Sequence, residues 1–501
     1  MNEAIYLTQE YFRPSSGYSL MPFRFERLTD ELVFISSLAG EYVLLPSHEF
    51  ENFVQGKLNP ISETYQNLLA RQILKDDSGD WGHELLSSKL FTKKSFLDGF
   101  TKLHIFVTTL RCNQSCPYCQ VSRQGECADA GSFDMSEEVL ERSIKLMLAS
   151  PSDNITMEFQ GGEPLLRFDI LQNAVKQTKE LNKRIGKHID YVLCSNLLLL
   201  EDKHLDWCLS EGIIISTSLD GPKNLHDRNR PFGIGKSSHE VVTRNIRRAQ
   251  EALGMEAVSA LMTTTRTSLG YAREIVDEYL RMDMGSIFVR ELNPYGFAIK
   301  SAAGIASSST EFFVFYKKIF EYIIEINRQG RTFSEAFATM ILTKAQTPWP
   351  INFVDLQSPA GAGFGVCLYN HDGEVYVSDE ARMLAEAGDP AFRIGNVIEN
   401  SYDEIFFGEA MQTISVASCS ESLAGCSDCA FQPYCGADPV RNYRTQGDPY
   451  GNRADPRSFC HRNKPIIEYL MHSLAKADDD LKRIFWAWIR RESVERLKLT
   501  R

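Results

Sequence analysis

Two hydrophobic periodicities alternate between Leu103 and Asn327. Short apolar or alternating runs at Leu103–Thr109, Ile155–Gln160, Ile189–Cys194, Ile213–Leu219, Ala257–Met262 and Ile287–Leu292 read as strands. Longer stretches between them repeat apolar residues every three or four positions. These predict helices at Ser136–Ala149, Phe168–Ile185, Asp202–Ser210, His239–Leu253 and Leu269–Arg281, with a last one at Glu311–Asn327. Strand–helix units in succession predict an α/β fold with a parallel sheet and right-handed crossovers.

The flanks follow other patterns. Near the N-terminus, Glu31–Ser36 and Gly40–Pro46 read as two strands of a hairpin around Leu38-Ala39-Gly40. Helical patterns follow at Ser47–Gly56 and Ser62–Ile73. Residues 1–98 are therefore expected to form a separate small domain. Ser301–Ser309 is the nearest approach to a flexible loop, and the sequence shows no internal repeat.

At 501 residues the chain is too long for one ordinary core, so two or three domains are expected. Hydrophobic residues make up 43% and charged residues 24%, as in a soluble globular protein. A net charge of −12 argues against a nucleic-acid binder driven by phosphate contacts. There is no run of about 18 apolar residues and no basic-then-apolar leader. The expectation is a cytoplasmic protein with no membrane partner. In a reducing compartment, 12 cysteines point to metal or reactivity rather than disulfides.

The cysteines are unevenly spread. Cys112, Cys116 and Cys119 give C-x3-C-x2-C just after the first strand. A loop this tight can turn three thiolates toward one point, which suits a cubane iron–sulfur cluster with one iron left open. A structural zinc site would want a second cysteine pair nearby. A disulfide knuckle would want an oxidising compartment. A second group, Cys426, Cys429 and Cys435 in C-x2-C-x5-C followed by Cys460, fits zinc or a fully ligated [4Fe–4S] cluster equally well by spacing. Cys127, Cys194 and Cys208 read as ordinary loop, strand and helix residues.

With Tyr118 before its last cysteine, the first motif resembles that of the radical S-adenosylmethionine (radical SAM) enzymes. The resemblance implies an open (β/α)6 barrel with its chemistry at the C-terminal strand ends. The other strand ends carry matching residues. Gly161-Gly162-Glu163-Pro164 follows the second strand. By itself Gly-Gly is a turn, or a place where a ligand nears the backbone. The tetrapeptide matches the family motif that holds the amino group of S-adenosylmethionine. Ser195-Asn196 follows the third strand in the place of a family Ser-Asn that faces the cofactor. Ser218, Asp220 and Arg230, after the fourth strand, match a family pattern in which the serine and arginine bind the cofactor carboxylate and sugar. His226-Asp227 reads as a structural loop or capping pair. The resemblance thus implies a [4Fe–4S] cluster on Cys112, Cys116 and Cys119 that binds S-adenosylmethionine.

The C-terminal cysteines resemble the SPASM extension of peptide-modifying radical SAM enzymes, which holds two auxiliary clusters. Here the pattern is incomplete. Ala360, Ser378 and Pro439 stand where the first auxiliary cluster would have cysteines. Cys426, Cys429, Cys435 and Cys460 keep the second set. One auxiliary [4Fe–4S] cluster is expected, and Cys367 and Cys419 remain unassigned. Asp379 matches an aspartate that accepts the substrate proton in sulfatase-maturating relatives; the other reading is a turn or a salt bridge with Arg382.

Softer strings, Ser378-Asp-Glu-Ala-Arg-Met-Leu384 and Cys435-Gly-Ala-Asp-Pro439 among them, resemble the radical SAM maturases of His-Xaa-Ser systems. That resemblance implies a precursor peptide or protein as substrate, a second radical SAM protein of the same system, and a reductant such as flavodoxin or ferredoxin. It also implies four regions. Residues 1–98, a strand pair with helices, are similar to the winged-helix-like precursor-recognition domains that add a leader peptide to a sheet edge; the other reading is a small cap that only supports the barrel. Residues 99–330 are the partial barrel, 331–465 a SPASM-like auxiliary iron–sulfur domain and 466–501 a C-terminal helix. The alternatives are a sulfatase-maturase-like enzyme, an enzyme of a small molecule, and a non-catalytic peptide-binding protein with a zinc knob.

Overall fold

The computed structural model of the chain describes residues 17–76 and 81–496. Its centre is one nine-stranded sheet. Six parallel strands lie side by side in chain order: β1 (Leu103–Thr109), β2 (Asn154–Gly161), β3 (His188–Cys194), β4 (Ile213–Ser218), β5 (Val258–Thr264) and β6 (Val289–Glu291). The helices between and after them are α1 (Glu137–Leu148), α2 (Phe168–Ile185), α3 (Asp202–Glu211), α4 (Ser238–Leu253), α5 (Ala272–Arg281) and α6 (Ser309–Arg328).

Local chemistry sets these limits. Ser136 accepts the Val139 amide and starts α1, whose Leu140, Ile144 and Met147 recur on one buried face. α2 ends at Gly186 in the left-handed conformation. A reciprocal Ser308–Glu311 capping box opens α6. Along β2, Ile155, Met157 and Phe159 are buried in the core, whereas Glu158 and Gln160 on the opposite face line the barrel interior.

Two sequence expectations need adjustment here. The run Ile287–Leu292 is not one strand: Ser286–Ile287 pairs with Ser334–Glu335, and only Val289–Glu291 continues the main sheet. Leu269 and Gly270, expected at the start of a helix, belong to a separate 3-10 turn, Arg266–Gly270, before α5. There Thr265 and Ser268 cap each other and close the turn early.

The sheet also extends past β1. β7 (Val366–Tyr369) pairs parallel with it, and β8 (Glu374–Tyr376) and β9 (Arg393–Asn396) follow antiparallel. These strands come from beyond residue 330, so the barrel sheet and the C-terminal region are continuous. Three more helices bear on the site. α7 (Glu-capped, Ala336–Gln346) and α8 (Asp379–Glu386) precede α9 (Phe459–Ala475), which carries Cys460 in its first turn. A final helix, Asp479–Arg490, packs Trp488 edge-on against Phe320 of α6.

The N-terminal residues build a three-stranded antiparallel meander: Phe23–Arg27, Leu32–Ser37 and Tyr42–Pro46, with helices Ser47–Val54 and Glu63–Ala70. Phe23–Arg27 adds a strand to the hairpin expected from sequence. The central strand has two destinations. Val33 and Ile35 face a local core with Phe53 and Leu68. Phe34 faces the other way, onto Phe431 and Tyr434, with ring centroids 5.3 and 6.1 Å away. Ser36 donates to the Ala430 carbonyl at 2.7 Å, and the Tyr434 hydroxyl to the Gly40 carbonyl at 2.9 Å. This sheet therefore rests directly on the Cys426–Cys435 loop.

Candidate active site

The loop after β1 carries Cys112, Cys116 and Cys119. It is pinned on both sides. Arg111 donates to both oxygens of Asp134, at 2.8 and 2.6 Å, and the Leu110 amide donates to the Phe133 carbonyl at 2.9 Å. Burial pushes the Cys112 and Cys116 thiols up to about 12; the Glu163 charge adds to this at Cys112, and Arg230 opposes it at Cys116. Buried thiols of this kind ionise only against positive charge, which is what bound iron provides. Donors already point at the sulfur: the Gln114 amide lies 3.4 Å from Cys112 Sγ and Asn196 Nδ2 lies 3.9 Å away. Among the described residues no three His, Cys, Asp or Glu share a single-ion site. The cysteines of a cubane bind different irons and so stand farther apart than the ligands of one ion.

Gly161 and Gly162 have a structural reason of their own. A Cβ on Gly161 would lie 2.1 Å from the Thr109 carbonyl oxygen, and one on Gly162 2.2 Å from that of Arg111. The amides of Gly162 and Glu163 donate to those same two carbonyls at 2.8 Å. What approaches the Gly-Gly backbone here is the cysteine loop itself. Pro164 then opens a 3-10 turn, and Glu163 is fully buried.

Glu163 joins three strand ends. Its carboxylate accepts from Ser195 Oγ and the Asn196 amide, both at 2.8 Å, and from the Leu165 amide at 3.1 Å. Burial raises its pKa to about 7 against those hydrogen bonds. Asn196 Nδ2 also donates to Asn113 Oδ1 at 2.8 Å, which ties the end of β3 to the cysteine loop. On the far side, Tyr118 donates to Asp220 Oδ2 at 2.6 Å, and Arg230 Nε to Asp220 Oδ1 at 3.2 Å. The Arg230 guanidinium stands 5.3 Å from the centre of the Tyr118 ring. Ser218 ends β4 on the same rim. The structure thus brings the sequence-derived residues of the first four strand ends into one linked set. Asp227 lies outside it: it accepts from Ser237, Ser238 and the His239 amide at the start of α4, a capping arrangement.

Cys426, Cys429, Cys435 and Cys460 line one small cavity, together with Arg453 and Lys464. Arg453 Nε lies 2.9 Å from Cys426 Sγ. Burial raises all four thiols, and at Cys435 mutual charge adds to it and takes the thiol up to about 12. A donor set of four thiols beside two cations fits a metal–sulfur centre. Cys367 and Cys419 lie elsewhere. Cys367 is buried within β7, and Cys419 donates to the Ser415 carbonyl at a helix end.

Asp379, the first residue of α8, lines the barrel cavity and is paired with Arg382 at 3.2 Å, the salt bridge that one sequence reading gave it. Burial raises its pKa, with Arg382 opposing. Sequence reasoning passed over Glu158, Arg290, Asp355, Glu380 and Asp438 on the same wall, and Cys194, read as ordinary, faces this cavity too. The alternation of β2 was the available signal for Glu158. Arg290 lies within the short β6, and the others sit in a 3-10 turn or at helix starts, where periodicity is silent.

Comparison with known proteins agrees with this geometry. Residues 106–268 match the family model described as the Radical SAM superfamily. The chain is 23% identical over 364 residues to the cysteine-type anaerobic sulfatase-maturating enzyme of Clostridium novyi (strain NT), covering 71% of this chain and 91% of that one. The fold is similar to that of native anSMEcpe with bound AdoMet, with a TM-score of 0.60 at 16% identity over 78% of this chain and 100% of the other. It is also similar to that of Streptococcus suis SuiB bound to precursor peptide SuiA, with a TM-score of 0.52 at 13% identity over 88% and 99%. The chain is a radical SAM enzyme.

Proposed function

We propose that this enzyme modifies a peptide or protein precursor after translation, as a maturase of the His-Xaa-Ser type (HxsB). The observation that carries the reading is the linkage of Cys112–Cys119, Glu163, Ser195-Asn196 and Asp220–Arg230 at adjacent strand ends, directly above a roomy barrel cavity. Similarity to a sulfatase-maturating enzyme, and in fold to a protein solved with its precursor peptide, supports a peptide as substrate.

When bound, the cluster and S-adenosylmethionine supply a 5′-deoxyadenosyl radical that takes a hydrogen atom from the substrate. The chain's residues position and protect that chemistry. Cys112, Cys116 and Cys119 would hold the cluster and leave one iron open. Glu163, favoured as a carboxylate by a neighbouring ammonium charge, would hold the amino group of the cofactor with Ser195 and Asn196 close by. Arg230, kept in place by Asp220 and Tyr118, would meet its carboxylate or sugar together with Ser218. Gly161, Gly162 and Pro164 fix the loop that presents Glu163. Asp379, on the cavity wall, would accept the substrate proton.

Cys426, Cys429, Cys435 and Cys460 would hold a single auxiliary cluster. Residues 1–98, resting on that loop, would recognise the precursor at a free edge of the N-terminal meander. The remaining regions in this reading are the barrel at 99–330, the auxiliary domain at 331–465 and the C-terminal segment at 466–501. A second radical SAM protein of the same system and a reductant such as flavodoxin or ferredoxin complete it, in the cytoplasm. Among the described residues, no helix is long and apolar enough to cross a membrane.

Cleavage of S-adenosylmethionine by the reconstituted enzyme, followed as 5′-deoxyadenosine, tests the reading. Cys112→Ala should abolish it. With a His-Xaa-Ser repeat peptide present, a mass change in the peptide is expected, and cofactor cleavage without any change in the peptide would contradict the substrate assignment.

A further inference from the structure

The barrel encloses a cavity of about 490 Å³. Gln160, Cys194 and Ser216 line it, one or two positions before Gly161, Ser195 and Ser218, so it opens toward the site described above. Ala360, Ser378 and Pro439, the three positions where the related pattern carries cysteines, lie on the same wall. None of them brings a thiol to it. What lines the cavity instead is acid: Glu158, Asp355, Asp379, Glu380 and Asp438, against Arg290 as the one cationic side chain among the described lining residues.

Neighbouring cations neutralise this wall only in part. Arg382 is held between Asp379 and the Val121 carbonyl. Arg441 and Arg462 are directed to Glu291 and Asn293. Among the described residues, the carboxylates of Asp355 and Glu380 and the guanidinium of Arg290 make no hydrogen bond or ion pair.

Two buried polar groups at the margin are also unpartnered. The Tyr295 hydroxyl lies in the field of Asp438 and Glu380. Nδ2 of Asn463, 3% exposed, lines a narrow continuation of the cavity that it shares with Asp355 and Arg290. Buried polar groups are normally satisfied, so the unpaired Asn463 amide beside Asp355 marks a group that a ligand reaching this narrow part would meet. Burial and mutual repulsion raise the Asp355 and Asp438 carboxyls, a strain that a cation placed among them would relieve.

We infer that this cavity is the subsite for a cationic side chain of the substrate, an ammonium, guanidinium or imidazolium group delivered on a peptide, with Asp355 and Glu380 as its specificity-determining carboxylates. The inference rests on the peptide-maturase reading and adds the chemical class of the residue that reading brings to the barrel. A cation gains charge-assisted hydrogen bonds from carboxylates that otherwise have no partner. A neutral side chain would leave them buried and unpaired, and an acidic one would add repulsion.

Capped pentapeptides that differ only at a central lysine, histidine, norleucine or glutamate test it. Their dissociation constants are measured by calorimetry with the full-length, reconstituted enzyme in the presence of S-adenosylmethionine. The lysine and histidine peptides should bind at least about tenfold more tightly than the norleucine peptide, and the glutamate peptide most weakly. The double substitution Asp355→Asn/Glu380→Gln should bring lysine and norleucine within about twofold. Equal affinities in the wild type, or a lysine preference that survives the double substitution, overturn the inference. If the double variant does not fold, Glu380→Gln alone should still reduce the preference, and the wild-type series decides regardless. Butylamine separates the two failures. Binding of the free amine with no binding of any peptide leaves a cation site but removes the peptide, whereas peptides bound without regard to charge keep the peptide and remove the cation subsite.

Discussion

Ser195 donates its hydroxyl to Glu163 Oε1 at 2.8 Å, so the ends of β3 and β2 share one buried carboxylate. With its pKa raised to about 7 by burial, Glu163 takes up or loses its proton near neutrality. Its folded pKa lies above the ordinary carboxylate value. The ligand-free protein therefore loses stability as pH rises from that ordinary range through about 7, by up to about 3.5 kcal/mol. An ammonium partner favours the charged form. S-adenosylmethionine affinity should therefore rise across the same window in the wild type and be weak and nearly flat in Glu163→Gln. Binding isotherms at pH 6 and pH 8 check this; a wild-type affinity that falls with pH would contradict it.

Gly162 is where a single methyl group should unseat the cluster loop. A Cβ there would sit 2.2 Å from the Arg111 carbonyl oxygen, whereas one on Gly125 meets nothing within 4 Å. Gly162→Ala should lose the iron held by the first three cysteines and keep that of the second site. Gly125→Ala should retain both. Iron content and the visible absorption of the two purified variants distinguish these outcomes.

Arg382 joins Asp379 to the cysteine loop through the Val121 carbonyl, 3.2 Å from Nη1. It is 1% exposed. Arg382→Met would leave Asp379 without its main counter-charge, and breaking a buried pair of this kind costs about 3–5 kcal/mol. A lowered thermal midpoint is expected. Asp379→Asn should act differently: less modified peptide per 5′-deoxyadenosine formed, because proton acceptance is lost while the cofactor residues stay in place. An unchanged ratio would assign Asp379 to the ion pair alone.

Phe34 is fully buried between the N-terminal meander and the Cys426–Cys435 loop. Phe34→Ala should cost about 3–5 kcal/mol, as deletion of a buried aromatic ring does. If the meander braces the cysteine loop, the variant should also lose iron from the second site more readily on dilution. Chelator-accessible iron, followed over time, measures this.

The barrel was legible in the sequence because β1 to β4 combine apolar runs with motif residues at their C-terminal ends, and both signals agree in position. β7 was not: Val366-Cys-Leu-Tyr is four residues long, and its place beside β1 is set by pairing across more than 260 positions. The same holds for Phe34. The alternation of its strand predicts a two-faced element, but not that the second face meets Phe431. Glu163, Ser195 and Asn196 could be named from motifs, whereas their shared hydrogen bonds depend on the register of β2 and β3. Asp355 carries no motif, Glu380 and Asp438 fall in strings that assign them no role, and only the folded chain brings the three to one cavity.

The central claim is one S-adenosylmethionine cluster and one auxiliary cluster. Iron and acid-labile sulfide per chain, measured after anaerobic purification for the wild type and the Cys112/Cys116/Cys119 triple alanine variant, test it most directly. About eight irons are expected, falling to about four in the variant. About twelve irons would mean that Cys367 and Cys419 help to hold a third cluster, and near-zero iron with stoichiometric zinc would contradict the account outright.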